Sequence, residues 1–211
     1  MTTFLYEDDL PDNFDFKDIV AIDCETLGLN PHRDRLCLVQ ISNGDGNAHL
    51  VKIKAKYNGD TTPKQSLAPN LCSMLVDKNI MKLFHFARFD IGALLSHFNV
   101  ITTPVFCTKI ASKLVRTYTD KHGLKNLINE ILNVDISKRE QSSDWGALEL
   151  SDSQMEYAAS DVLFLHELKS NLEMRLVREN RLSLAQACFK FLPERAKLDI
   201  EGWKDEDIFS H

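Results

Sequence analysis

Apolar residues fall at strand spacing in the first part of the chain and at helical spacing in its second half, and this change of period sets the expected fold. DIVAIDCE at 18–25, LCLVQIS at 36–42 and NAHLVKI at 47–53 read as three neighbouring strands, being short aliphatic runs bounded by turn residues. NGDG at 43–46 is an antiparallel turn signal between the last two. Residues 54–68 are polar and contain Gly and Pro, so a surface loop is expected there. Leu71, Met74 and Leu75 share a helical face within 69–79, and IMKLFHF at 80–86 reads as a further strand feeding a helix through DIGALLSHF at 90–98. From 107 onward the period is helical throughout: 107–118, 122–133, one long helix from Ser151 to about Asn180, and a last helix over 182–192 ending before Pro193. Ser151 with Gln154 three residues later is a capping-box pattern. Strands followed by helices that pack around them give an α/β domain.

The 211 residues suit one domain with one sizeable core. With 44% hydrophobic and 27% charged residues the composition is that of a soluble globular protein. No apolar run nears the roughly 18 residues of a membrane span, and the N-terminus MTTFLYEDDLPDNF is acidic where a secretory signal is basic and then apolar. A cytoplasmic location is expected. Cys24, Cys37, Cys72, Cys107 and Cys188 are odd in number and scattered, with no CxxC, which favours reduced core thiols over disulfides or a zinc site. The net charge of −6 argues against a protein that grips long nucleic acid through many phosphates. It leaves room for a substrate with few phosphates, or for a site whose positive charge comes from bound metal.

One feature of the first strand stands against its apolar surroundings. Asp23 and Glu25 lie two apart, so both carboxylates leave the end of the strand on one face. Like charges held that close are unfavourable without a cation or a shared proton, unless one of them turns to solvent. Asp90 follows a strand at a helix start, where an acid also suits the helix dipole. Tyr157 and Asp161 lie four apart on one helix face that also carries Ala158 and Leu165, so Asp161 points toward apolar company.

These residues carry a resemblance. DCET at 23–26, HFARFD at 85–90 and YAASD at 157–161 resemble the three motifs of the DEDD superfamily of 3′→5′ exonucleases, with Asp23, Glu25, Asp90 and Asp161 as its acids. Tyr157, four before the last acid, matches the tyrosine branch; Glu156 stands where the other branch has His. CTKIASKL at 107–114, HGLKNL at 122–127 and the segment 142–168 are similar to ribonuclease D. That enzyme continues into helical nucleic-acid-binding domains where this sequence ends at His211, and 24–42 and 186–211 are more similar to short stand-alone nano-RNases of the NrnC type.

The resemblance implies an RNase H-like DEDD exonuclease fold, a mixed central sheet flanked by helices, as a single domain over 1–211 with 182–211 an oligomer-contact extension. It implies two divalent cations, Mg²⁺ or Mn²⁺, on the four acids. It further implies a homo-oligomer, a ring being one form, for whose contact Trp203, Ile208 and Phe209 are available. The implied activity is 3′→5′ hydrolysis of short single-stranded RNA, down to dinucleotides, to nucleoside 5′-monophosphates. Ribonuclease D-like trimming of RNA 3′ ends and DNA exonuclease activity are the enzymatic alternatives. A catalytically silent nucleic-acid-binding module is disfavoured because all five motif residues are present.

The chemistry accounts for the acids. Phosphodiester hydrolysis needs charge stabilised on both the attacking and the leaving oxygen, which two divalent ions about 3.5–4 Å apart can supply, and such hard cations prefer carboxylate oxygens and water. The resemblance implies that Tyr157 orients the attacking water, and a phenol with pKa near 10, a poor base at neutral pH, suits that positioning role. Thr26 and Leu27 can offer backbone groups to the terminal 3′-OH, and the resemblance makes Leu29 a wedge between the last two bases, against an ordinary core role. His85 is a substrate contact or a structural histidine, and Trp145 stacks on a base or packs against a helix. Lys109, Lys113, Arg116, Lys121 and Lys125 form a basic run that is either a solvated helix face or, with Lys109 and Arg116 foremost, a cap for a substrate 5′-phosphate.

Overall fold

A computed structural model describes residues 2–55, 64–136, 140 and 142–211. Six strands form one sheet in the order β1-β4-β3-β2-β5-β6. They are β1 (Thr2–Glu7), β2 (Ile19–Thr26), β3 (Leu36–Ser42), β4 (Asn47–Lys52), β5 (Met81–Phe84) and β6 (Val105–Cys107). The β2-β3-β4 meander is antiparallel, while β5 and β6 add parallel strands on one side and β1 pairs parallel to β4 on the other. The sheet is therefore mixed, as expected. Gly44 and Gly46 turn the β3–β4 hairpin at φ of 79° and 83°, which glycine reaches at no steric cost.

Among the described residues seven α-helices accompany the sheet: α1 (Pro69–Val76), α2 (Ala87–Phe98), α3 (Thr108–Val115), α4 (Leu124–Leu127), α5 (Asp152–Leu163), α6 (Leu165–Arg178) and α7 (Leu182–Leu198). α2 is the crossover between the parallel strands β5 and β6 and packs on α7, α5 lies over β2, β3 and β4, and α6 over β2 and β5. The capping box starts α5: Ser151 Oγ accepts from the Gln154 amide at 3.2 Å, and Gln154 Oε1 accepts from the Ser151 amide at 2.9 Å. The large core joins β2 and β5 to α2, α6 and α7, with Leu165, Leu168, Leu172 and Leu176 fully buried along one α6 stripe. Each such leucine contributes about 1.5–3 kcal/mol. A smaller cluster of Cys37, Leu38, Leu50, Trp145 and Ala158 lies under α5, beside Tyr157.

Four expectations change. β1 is a strand that the apolar pattern did not mark, because most of its residues are exposed at the sheet edge. β6 occupies Val105–Cys107, so the helix expected from 107 begins one residue later. The long helix breaks at Phe164, whose φ of −98° and ψ of −4° end α5 and redirect the chain into α6. α7 does not stop before Pro193 but runs through it to Leu198; the buried neighbours Phe189, Leu192 and Ala196 offset the lost backbone hydrogen bond. Of the surface loop expected over 54–68, Lys64–Leu67 form a 3₁₀ turn and 56–63 lie outside the described residues.

Candidate active site

Strand alternation places the first two acids. Cross-strand register sets Asp23 opposite Gln40 and Glu25 opposite Leu38, and Leu38 belongs to the cluster under α5, so Asp23 and Glu25 face α5. The helix supplies Asp161 and, one turn earlier, Tyr157. Carboxylate oxygens of Asp23, Glu25 and Asp161 all lie within 4.8 Å of one another. Cys24 points the other way, toward α2, and its thiol and amide hydrogen-bond Asp90 in the first helical turn. Asp90 is nearly fully buried at 2% exposure and is not in the triad, but its charge acts on both Asp23 and Glu25.

Burial raises the pKa of every acid, and repulsion from neighbouring acids adds to it at Asp23, Glu25 and Asp90. Burial, then Asp90, Asp161 and Glu25, hold the Asp23 carboxyl well above its usual range. Burial, followed by Asp161 and Asp90, pushes Glu25 to about 9. Burial pushes Asp161 to about 7 against the hydrogen bond that the Tyr157 phenol donates to it. Tyr157 itself is raised by burial and by the same acids. A site built only of carboxylates that resist ionisation together is matched to hard divalent cations, whose charge removes that resistance.

The triad opens into a cleft of about 680 Å³. Thr26, Leu27, Leu29, His85, Lys109 and Trp145 line it together with Asp23, Glu25, Tyr157 and Asp161. Leu27 and Leu29 are 53% and 72% exposed, so Leu29 is not core. His85 Nδ1 lies 2.9 Å from Thr108 Oγ1, and burial, then Lys109, lowers its pKa to about 3, leaving a neutral imidazole. Lys109 Nζ sits 3.9 Å from the Phe86 ring centroid at the cleft wall.

Two expectations do not hold. The Arg116 side chain is fully buried and spent, with its guanidinium bound to Glu130, to Ser112 Oγ at 3.0 Å and to the Lys121 carbonyl at 2.8 Å. It is absent from the residues lining the cleft and cannot cap a phosphate. Trp145 is 3% exposed and tilted against Tyr157 with ring centroids 6.0 Å apart, so it props the tyrosine rather than offering a stacking face. Sequence reasoning missed Phe86, Phe89, Ser142 and Ser143, which also line the cleft. For Phe86 and Phe89 the signal was their place inside the second motif; for Ser142 and Ser143 it was their place at the start of the segment similar to ribonuclease D.

The 3′-5′ exonuclease family model matches residues 9–177. Ribonuclease D of Granulibacter bethesdensis is 32% identical over 78% of this chain, and that of Gluconacetobacter diazotrophicus 35% over 77%; each match covers 39% of the relative. The chain thus spans about two fifths of these relatives' length. Solved structures of Brucella melitensis NrnC, one with bound Mg²⁺ and one bound to pGG, match at 56% and 57% identity with TM-scores of 0.90 and 0.91, covering 100% of this chain and 100% and 99% of theirs. Escherichia coli RNase D, at 23% identity and a TM-score of 0.72, shares the fold.

Proposed function

The chain belongs to the 3′-5′ exonuclease family, and from that premise we propose that it is a two-metal exoribonuclease that hydrolyses short single-stranded RNA, down to dinucleotides, releasing nucleoside 5′-monophosphates. The observation that carries this reading is the triad of carboxylate oxygens within 4.8 Å on the floor of a cleft, with Tyr157 beside it. Asp23, Glu25, Asp90 and Asp161 hold a pair of divalent cations, Mg²⁺ or Mn²⁺. When bound, the pair neutralises charge on the phosphate and acidifies water. Tyr157, hydrogen-bonded to Asp161 and braced by Trp145, orients the attacking water. Backbone groups of Thr26 and Leu27 receive the 3′-OH, and the exposed Leu29 separates the two terminal bases. Lys109 meets the 5′-phosphate from the cleft wall, and neutral His85 contacts the substrate without charge.

Short substrates suit a net charge of −6 and a cleft whose cations among the described residues are Lys109 and Lys125, the latter paired with Asp135. The Brucella melitensis relative captured with pGG supports the same size class. Relatives named ribonuclease D keep 3′-end trimming of longer RNA as the second reading. A homo-oligomer belongs to the proposal, supported by exposed Phe191, Trp203, Ile208 and Phe209 on α7 and the segment after it. So does a reducing, cytoplasmic setting: all five cysteines are free, and among the described residues no helix is long and apolar enough to cross a membrane. The test is a series of 5′-labelled RNAs from two to seven nucleotides, with matched DNA, read by initial rate in Mn²⁺. The proposal expects the dinucleotide RNA to be cleaved fastest; equal rates at every length would end the short-substrate reading, and no cleavage would end the nuclease reading.

A further inference from the structure

Gln40 lies in the middle of β3, fully buried, and neither Nε2 nor Oε1 of its side-chain amide meets a hydrogen-bond partner among the described residues. Buried amides are almost always paired, and one left unpaired at a functional site points to a partner engaged in the working state. Register identifies the neighbour. Gln40 is directly opposite Asp23 on β2 and opposite Leu50 on β4, on the face covered by α5. Residues directly opposite in a sheet have Cβ atoms about 4.5–5.5 Å apart, within reach of one side-chain hydrogen bond or one bridging water.

Apart from the buried indole N–H of Trp145, which also lacks a partner among the described residues and can only donate, the other polar groups around it are committed. Ser42, two residues along the same face, donates to the Asn47 carbonyl at 2.7 Å and accepts from the Gly44 amide at 3.3 Å. On α5, Gln154 closes the capping box and Ser160 donates to the Tyr157 carbonyl at 2.7 Å. The acids remain, and Asp23 is the one in register.

We propose that Gln40 is a positioning residue for Asp23: in the ion-loaded protein its amide donates to the Asp23 carboxylate, directly or across one enclosed water, and fixes the ligating orientation. The inference rests on the nuclease reading. Leucine or methionine would fill this position with greater stability, since an unpaired buried amide is costly and an apolar isostere is not. That trade makes the role separable from packing.

Gln40→Met keeps the side-chain length and removes both polar ends. Expected are a melting temperature in EDTA equal to or above that of the unaltered protein, a Mn²⁺ dissociation constant by titration calorimetry raised about tenfold, and a reduced kcat with KM for an RNA dinucleotide within twofold. A lowered melting temperature with unchanged Mn²⁺ affinity would show a structural glutamine and overturn the proposal. In an Asp23→Asn background the same change should alter Mn²⁺ affinity less than twofold; a persisting tenfold loss would place the effect elsewhere. Gln40→Leu serves the same comparisons if the methionine variant does not fold. Should the unaltered protein neither bind Mn²⁺ nor cleave RNA, the nuclease reading and this inference fall together, and that failure appears before any variant is made.

Discussion

Strand β2 carries different chemistry on its two faces. Val20, Ile22 and Cys24 are buried against the main core, at 0%, 0% and 4% exposure. On the opposite face Asp23 and Glu25 meet Asp161 in a cluster where burial, and at Asp23 and Glu25 the neighbouring acids, disfavour the charged forms. One face lowers the free energy of the fold by removing apolar surface from water; the other raises it by confining like charges. The strand can carry the second because it is anchored by the first, so changes at Val20 or Ile22 and changes at the acids should move stability in opposite directions, while Cys24, which hydrogen-bonds Asp90, links the two faces.

The largest separation comes from the acids. Asp161→Asn should lower kcat/KM about a thousandfold or more, since several kcal/mol of transition-state stabilisation depend on the cluster. The same variant should melt higher than the unaltered protein in EDTA at pH 8, because a buried charge has gone. Ile22→Ala, on the apolar face, should cost about 2–5 kcal/mol of stability. A lower metal-free melting temperature for Asp161→Asn would break the contrast. Next in size, Tyr157→Phe should keep its melting temperature and lose about a hundredfold in kcat, the scale of a misplaced proton-bearing group; undiminished turnover would remove Tyr157 from the mechanism.

The electrostatic cost can also be read by titration. Folded Glu25 binds its proton up to about 9 and Asp161 up to about 7, whereas unfolded carboxyls release theirs near 4. At these acids the folded chain holds more protons than the unfolded one, so from about 6.5, above the range where the lowered histidines His49, His85, His122 and His166 act the other way, to about 8, where buried Lys82 begins to oppose it, metal-free stability falls as pH rises. Denaturation in EDTA across that window should show the decline, and saturating Mn²⁺ should flatten it; a flat metal-free profile would deny that burying these acids together disfavours their charge. The smallest effect distinguishes two cations. Lys109→Ala should raise KM for a 5′-phosphorylated dinucleotide several-fold with kcat unchanged, the scale of one exposed charge contact. Arg116→Ala should lower the melting temperature and leave KM within twofold, as befits a buried partner of Glu130.

Much of this was legible in the sequence because it depends on local periods. A spacing of two on a strand fixed Asp23 and Glu25 to one face, a spacing of four on a helix joined Tyr157 to Asp161, and Ser151 with Gln154 announced the start of α5. Lys109 and Arg116 looked alike in that reading, both cations in one basic run. Only the fold separated them, because the return of Glu130 toward Arg116 fourteen residues later is a tertiary event.

The sequence by itself therefore determined the strand and helix types, the acids and their order, and a family resemblance strong enough to name the chemistry. Tertiary structure decided which groups face one another. β1 joins β4 through pairing between segments some 45 residues apart, Phe164 turns one helical run into two packed in different directions, and Gln40 comes level with Asp23 through strand register. Periodicity is a property of neighbours along the chain, whereas register, burial and charge pairing depend on segments that meet only when the core excludes water.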